Sequence, residues 1–422
     1  MWEGPSSIYK LAAMEKAIAV AGSTASTAQD SLDSAEFGGT CRANPTDVSN
    51  PEVLGMSGGG SDLVLTQLVI KPTLFCYHKC SYCDLRQDYY QDMIASKKSE
   101  LVLLSANGFR SANPGHMPLE MALRTIDEAA ALGMNSLQLS GGDPLMYPHL
   151  IDVIRAGARH PGVFVFMNSV GTGITVEKAR EIIGAGLGAW NFSVDTLDPI
   201  RYERLRGVRD ALPIIMKAID IVRKAAADWP DFCINYMAVI TRHNFRDIPD
   251  LLRHCVDTGV ASVFLMNVYG DTTGALLLTE SNIREFRDET IPSVLAILKE
   301  ERVAEVVQTN AEAVLGSFFS RDNSDSNYAQ GIYWSDMDSA KRACGVPDYY
   351  ALIEPDGRVL PCCLVEIFHD GEVGNVAERG LHHVWAGGRY TTFRRDRIPF
   401  CQKCSSPRNK TLGLIPKMCR QF

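Results

Sequence analysis

The sequence has no apolar run of membrane-spanning length. Its best N-terminal apolar stretch, residues 17–22, falls far short of the ~20 residues a helix needs to cross a bilayer. A basic n-region is missing too, since Glu3 stands ahead of that stretch, which argues against a secretory signal. Basic excess is also lacking: 42 Lys and Arg stand against 50 Asp and Glu, a net charge of -8. Nothing is therefore in surplus to neutralise a phosphate backbone. These absences lead us to expect no membrane and no nucleic acid as partners, and a cytoplasmic location. There, the twelve cysteines read as thiols and metal ligands rather than disulfides.

What is present is ordinary in bulk and sharp in places. A chain of 422 residues with 46% apolar and 22% charged content suits a soluble enzyme of more than one domain. Residues 6–21 carry an imperfect helical stripe, and 22–62 shift to Gly, Ser, Thr, Asn and Pro, the composition of a linker. From residue 63, apolar strand-like runs alternate with helical patterns. Strands are expected at 63–70, 136–140, 163–168, 190–195, 232–240 and 261–269. Helices fall at 118–133, 147–160, 175–184, 211–227, 244–259 and 280–300. Six such alternations mean βαβ units and a parallel sheet. The fold class is α/β, a partial (β/α)6 TIM-like barrel over 63–309. A polar connector follows at 310–342, then a small C-terminal α+β unit at 343–422.

One parity of each expected strand turns polar near its C-terminal end: Gln138 and Ser140, Asn168, Asn191, Ser193 and Asp195, Asn235, then Asn267 and Tyr269. The other parity is apolar. The polar face is expected to line a wet interior at the strand ends, where parallel α/β folds place their sites. Gly184-Ala185-Gly186-Leu187-Gly188 follows a helix and precedes a strand, the wrong order for a phosphate cradle, and reads as a helix end and turn.

Two cysteine sets stand out. Cys76, Cys80 and Cys83 share one loop directly after the first strand, at i, i+4 and i+7. Three thiolates so placed can hold three irons of a 4Fe–4S cube and leave the fourth open. Cys344, Cys362, Cys401 and Cys404 form a second, four-ligand set around a hairpin that turns at Pro355-Asp356-Gly357. A zinc ribbon is the rival for these four, although only one of the pairs is close. Cys362 has a neighbour, Cys363, that competes with it for one position.

The Cys-x3-Cys-x2-Cys loop, with Tyr82 before its last cysteine, resembles the cluster loop of the radical SAM superfamily. The resemblance covers residues 63–422. It implies that Cys76, Cys80 and Cys83 hold a cluster whose open iron chelates S-adenosylmethionine, with Tyr82 near the adenine. Gly141-Gly142-Asp143-Pro144 is similar to the family's stretch for the methionine amino group, with Asp where Glu is commoner. That shorter carboxylate leaves contact through backbone or side chain open. Asn168, Ser193 and Asp195 fall where the family contacts ribose and carboxylate, and Arg206 is a further carboxylate candidate. Val239 and Asn267 fall where the adenine is walled. The second cysteine set resembles a SPASM domain in its shortened, twitch form, which implies one auxiliary 4Fe–4S cluster.

The implied activity is that of an oxidoreductase or isomerase. Flavodoxin or ferredoxin supplies an electron, S-adenosylmethionine is cleaved to a 5′-deoxyadenosyl radical, and that radical takes a hydrogen atom from the substrate. The auxiliary cluster transfers electrons. The expected substrate is a small polar natural-product precursor, a sugar or aminocyclitol, which is dehydrogenated, epimerised or deoxygenated. The alternatives are a ribosomally made peptide that is cross-linked or epimerised, and a non-catalytic zinc or iron–sulfur protein.

Overall fold

The computed structural model describes residues 63–83, 115–268, 274–300, 311–319, 323–333, 344–363, 371–397 and 401, and the backbone of 102–103, 110–111 and 308–309. The expected N-terminal helix and linker, Tyr269 and Cys404 lie outside the described residues.

Six parallel strands run in chain order: β1 (Gln67–Ile70), β2 (Ser136–Leu139), β3 (Phe164–Ser169), β4 (Leu187–Ser193), β5 (Cys233–Ile240) and β6 (Ser262–Asn267). A short β7 (Gln308–Thr309) adds to β6. On the other flank, β8 (Tyr350–Ile353) pairs parallel to β1, and β9 (Arg358–Leu360) and β10 (Gly374–Asn375) continue antiparallel. The result is one open sheet of ten strands in the order β10-β9-β8-β1-β2-β3-β4-β5-β6-β7. The C-terminal hairpin thus extends the barrel wall through ordinary ladder bonds, beyond what its own sequence announced.

Helices cover the outer face. α1 (Leu119–Ala131) buries Met121, Ala122, Ile126 and Ala129. α2 (Leu150–Ala158), α3 (Val176–Gly184), α4 (Pro199–Arg206), α5 (Ala211–Ala225) and α6 (Ile248–Thr258) follow. Their apolar stripes meet Leu137, Leu139, Val165, Met167, Trp190, Phe192, Val263 and Leu265 in one core. This is the 3.6-period face of each helix set against one parity of the strands.

Three expectations need adjusting. The fourth strand starts at Leu187, because Gly186 at φ +109° turns the chain straight out of α3. The passage before α5 is itself a helix, α4, started by the Asp198 carboxylate, which accepts from Arg201 N at 2.8 Å, and stopped at Gly207. The expected 280–300 helix divides into Glu280–Glu285 and Ile291–Leu298 around a π-helical turn, Phe286–Thr290. In the connector, Phe318 and Tyr328 are buried, and Phe318 meets Phe286 edge to face at 5.2 Å.

Candidate active site

The inner wall is layered by register. At the base, Phe166, Ala189 and Cys233 stand opposite one another and form an apolar plug with Phe164 and Ala261. Two residues further along comes Asn168–Asn191–Asn235–Ser262, then Ser193–Met237–Phe264, then Val239–Met266. At the mouth, Leu205, Val268, Leu276 and Leu277 cluster with Tyr82 and Val239. Period two in four strands therefore did place polar side chains inward. In β6 it did not: Asn267 shares parity with Val263 and Leu265, on the side that packs against helices. It is buried, and neither polar atom of its amide has a partner among the described residues.

The cysteine loop sits just beyond β1. Cys80 is buried, Cys76 and Cys83 are half-buried, and Tyr77, Lys79 and Ser81 face outward. The last carbonyls of α4 hold the loop: Lys79 N donates to Arg206 O at 3.0 Å and Ser81 N to Leu205 O at 2.8 Å. A glycine must follow α4, since a Cβ on Gly207 would lie 2.4 Å from Lys79 O, at φ +64°. From the other side, Gly142 N donates to Thr73 O at 2.8 Å and Asp143 N to Phe75 O at 2.6 Å. Cβ atoms on Gly141 and Gly142 would fall 2.6 Å from Thr73 O and 2.1 Å from Phe75 O. Two glycines are required because the turn lies flat against the run into Cys76.

Asp143 is committed inward. Its carboxylate accepts from Ser169 Oγ at 2.6 Å, Leu145 N at 3.1 Å and Val170 N at 3.3 Å. Burial raises its pKa against the pull of these donors. Of the two routes left open by the sequence, side-chain contact with a ligand is therefore disfavoured and backbone contact remains.

Asp195 is the hub of the mouth. One oxygen accepts from Tyr82 OH at 2.7 Å and pairs with Arg206 Nε at 2.8 Å, and the other accepts from Val239 N at 2.9 Å. Both partners of the ion pair are buried. Arg206 also reaches Cys80 Sγ at 3.5 Å. So Tyr82, Asp195, Arg206 and Val239, far apart in sequence, form one network against the cysteine loop. Burial, only partly countered by Arg206, holds the Tyr82 phenol protonated. Ser193 is half-buried at the end of β4, and its carbonyl accepts from Tyr202 OH at 2.8 Å.

The donor set fits an iron–sulfur cube. Three soft sulfurs share one loop, and two of them already take donors: His78 N–H reaches Cys76 Sγ at 3.4 Å, and Arg206 reaches Cys80. Burial pushes the free Cys76 thiol up to about 12, so metal must displace its proton. Among the described residues no three His, Cys, Asp or Glu side chains converge on a single ion. A cube does not require that, because each thiolate takes its own iron.

Cys344, Cys362 and Cys363 are half-buried at the open end of the β8–β9 hairpin, and Cys401 is half-buried as well. Tyr349 faces Cys344, Cys362 and Cys363, and its buried hydroxyl has no hydrogen-bond partner among the described residues. Cys362 hydrogen-bonds Cys363 and lowers that thiol's pKa. Lys71 and Glu354 form a buried ion pair at 3.2 Å, tying the end of β1 to the hairpin turn. The sequence reading passed over this pair, although Lys71 stands five residues before Cys76. A separate cleft of about 370 Å³ opens outside the barrel beside exposed Tyr77, lined by Leu145, Tyr147, Ile151, Arg155 and Lys178.

Residues 70–255 match the family model described as the radical SAM superfamily, and 344–405 match SPASM, an iron–sulfur cluster-binding domain. The AdoMet-dependent heme synthase of Oleidesulfovibrio alaskensis is 26% identical over 297 residues, 68% of this chain and 70% of that protein. The PqqA peptide cyclase of Ruegeria pomeroyi is 25% identical over 288 residues, 67% of this chain and 69% of that one. In fold, Streptococcus suis SuiB bound to its precursor peptide SuiA superposes with a TM-score of 0.55 at 17% identity, over 80% of this chain and 68% of that one.

Proposed function

As the chain belongs to the radical SAM superfamily and ends in a SPASM cluster domain, we propose that it is an enzyme that modifies a ribosomally made peptide by cross-linking or epimerisation. Relatives matched over two thirds of their length include peptide cyclases. The observation that carries the reading beyond them is the chemistry of the inner wall. It presents amides and hydroxyls at Gln138, Asn168, Asn191, Ser193 and Asn235. Of the described cations named around it, Lys71 is already paired with Glu354 and Arg206 with Asp195. A tetrapyrrole with several carboxylates, the substrate suggested by the heme synthase relatives, finds little countercharge there. Neither sugar nor aminocyclitol is favoured by the relatives, so the peptide replaces them as our first reading.

Cys76, Cys80 and Cys83 would hold the first cluster. Cys344, Cys362, Cys401 and Cys404 would hold an auxiliary one. Bound at the first site, cluster and S-adenosylmethionine together supply a one-electron cleavage that ends in hydrogen-atom removal. The chain contributes placement and exclusion of water. Tyr82, Gly141, Gly142, Asn168, Ser193, Arg206 and Val239 would contact the cofactors from around the mouth, whereas Asn267, on the helix side of β6, would not. Asp195 orients Tyr82 and Arg206, and Asp143 locks the glycine turn. The apolar cluster at Leu205, Leu276 and Leu277 screens the mouth. Flavodoxin or ferredoxin is the expected electron donor.

The test uses anaerobically reconstituted full-length protein with dithionite and S-adenosylmethionine. 5′-Deoxyadenosine should form and should vanish in Cys76→Ala. A synthetic peptide encoded beside the gene should bind at micromolar Kd and change mass by a loss of hydrogen atoms or take up solvent deuterium. Turnover of a tetrapyrrole and no response to the peptide would reject the reading.

A further inference from the structure

The second layer of the inner wall holds a hydrogen-bonded row that radical chemistry does not itself require. Asn168, Asn191, Asn235 and Ser262 stand in register on four neighbouring strands. Ser262 Oγ donates to Asn235 Oδ1 at 2.6 Å, Asn235 Nδ2 to Asn191 Oδ1 at 2.8 Å, and Asn191 Nδ2 to Asn168 Oδ1 at 2.9 Å. The first three residues from the Ser262 end are buried, while Asn168 is half-buried and open to the interior. All three bonds run the same way, from β6 toward β3.

That common direction has a chemical consequence. A lone carboxamide can turn over and offer either its oxygen or its nitrogen. Here each amide is turned by its neighbour: Asn191 Nδ2 holds Asn168 Oδ1 toward β4, and the trigonal amide then carries Asn168 Nδ2, a donor, on its other side. It lies at the end of β3, beside Ser140 and the Gly141 turn. Four apolar residues would fill a buried row at less desolvation cost, so a fully satisfied polar row in this place points to a positioning task.

We infer that Asn191, Asn235 and Ser262 are positioning residues that orient Asn168 as a donor to an oxygen of the ligand held at the ends of β3 and β4. The inference rests on the S-adenosylmethionine reading above. Two oxygens of that ligand have the needed chemistry, the methionine carboxylate and the ribose hydroxyls.

The experiment measures binding to the anaerobically reconstituted, unreduced full-length protein with two probes, S-adenosylmethionine and 5′-methylthioadenosine, which lacks the amino-acid portion. Asn191→Leu should weaken S-adenosylmethionine by about tenfold, the loss of one well-placed hydrogen bond. The double variant with Asn168→Leu should bind no worse than Asn168→Leu alone, because the row acts through that residue. Weakening for S-adenosylmethionine alone assigns the carboxylate, and weakening for both probes assigns the ribose. Unchanged binding in Asn191→Leu, or losses that add in the double variant, overturns the inference. Should Asn191→Leu fail to fold, Ser262→Ala, on the far strand, takes its place. It should cost about threefold, and no change there overturns the inference equally. A wild-type protein that binds neither probe would instead remove the cofactor reading on which the inference rests.

Discussion

At the scale of single residues, Asp195 carries the most. It neutralises buried Arg206, accepts from Tyr82 OH and fixes Val239 N. Asp195→Asn keeps an acceptor but strands a buried guanidinium. It should cost about 3–5 kcal/mol of folding stability, read from urea unfolding of the cluster-free chain. Tyr82→Phe removes one hydrogen bond to the same carboxylate and should cost about 1 kcal/mol. Equal losses would show that the charge pair is not what matters. Sequence could nominate Tyr82, Asp195 and Arg206 one by one from the motif that each sits in. It could not show that they share one carboxylate, because the three are separated by up to 124 residues and only the closing of the barrel brings them together.

At the scale of elements, two clasps hold the cysteine loop, one from α4 and one from the Gly141-Gly142 turn. Gly142→Ala would drive a methyl into Phe75 O, at 2.1 Å, and push out the run leading to Cys76. Reconstitution should then give about four irons instead of about eight, with 5′-deoxyadenosine production lost. Retention of about eight would show that the loop tolerates the shift.

A second interface joins α1 to the C-terminal unit. Glu128 caps the short helix Leu381–Trp385 through Leu381 N and His382 N, and Arg124 reaches Val376 O. Trp385 Nε1 donates to Leu63 O at 2.9 Å. Glu128→Ala should cost about 1–2 kcal/mol. Amide hydrogen exchange should quicken in 376–385 while β3–β5 stay protected. Uniform quickening would mean that the unit is not docked independently. Helix positions were legible beforehand, since apolar residues recur at i, i+3 and i+4 in α1 and α6. The break at Phe286–Thr290 was passed over, although Pro292 announces it: a proline inside the expected 280–300 helix removes a backbone donor, and the second helix restarts at Ile291 with Pro292 in its first turn.

At the scale of the whole molecule, pH should matter on the acid side. Burial lowers the pKa of His116, His243 and His254, whereas the unfolded chain titrates them near ~6.5. A depressed folded pKa means that the unfolded state binds more protons as pH falls. Stability from these groups is therefore complete above ~6.5 and is lost below it. The urea midpoint should be level from pH 8 to 7 and drop by pH 5.5. His254→Gln should flatten part of that slope, and an unchanged slope would assign the effect to other groups. No helix among the described residues is long and apolar enough to cross a membrane.

The sequence by itself determined the chemistry that travels with short spacing. Three cysteines within eight residues, a glycine pair after the second strand, and a two-residue alternation that turned amides inward in four strands are all local, and local patterns survive without a fold. The tertiary structure alone decided what depends on distant pieces meeting. It turned Asp143 away from the mouth and toward Ser169, put Asn267 on the helix side of β6, and aligned four side chains into one directed row. It also joined the C-terminal hairpin to β1 through a parallel ladder sealed by Lys71 and Glu354. The physical reason is the same in each case. Register and burial follow from which strands pair across the sheet, and pairing between residues nearly 300 positions apart leaves no trace in either segment alone.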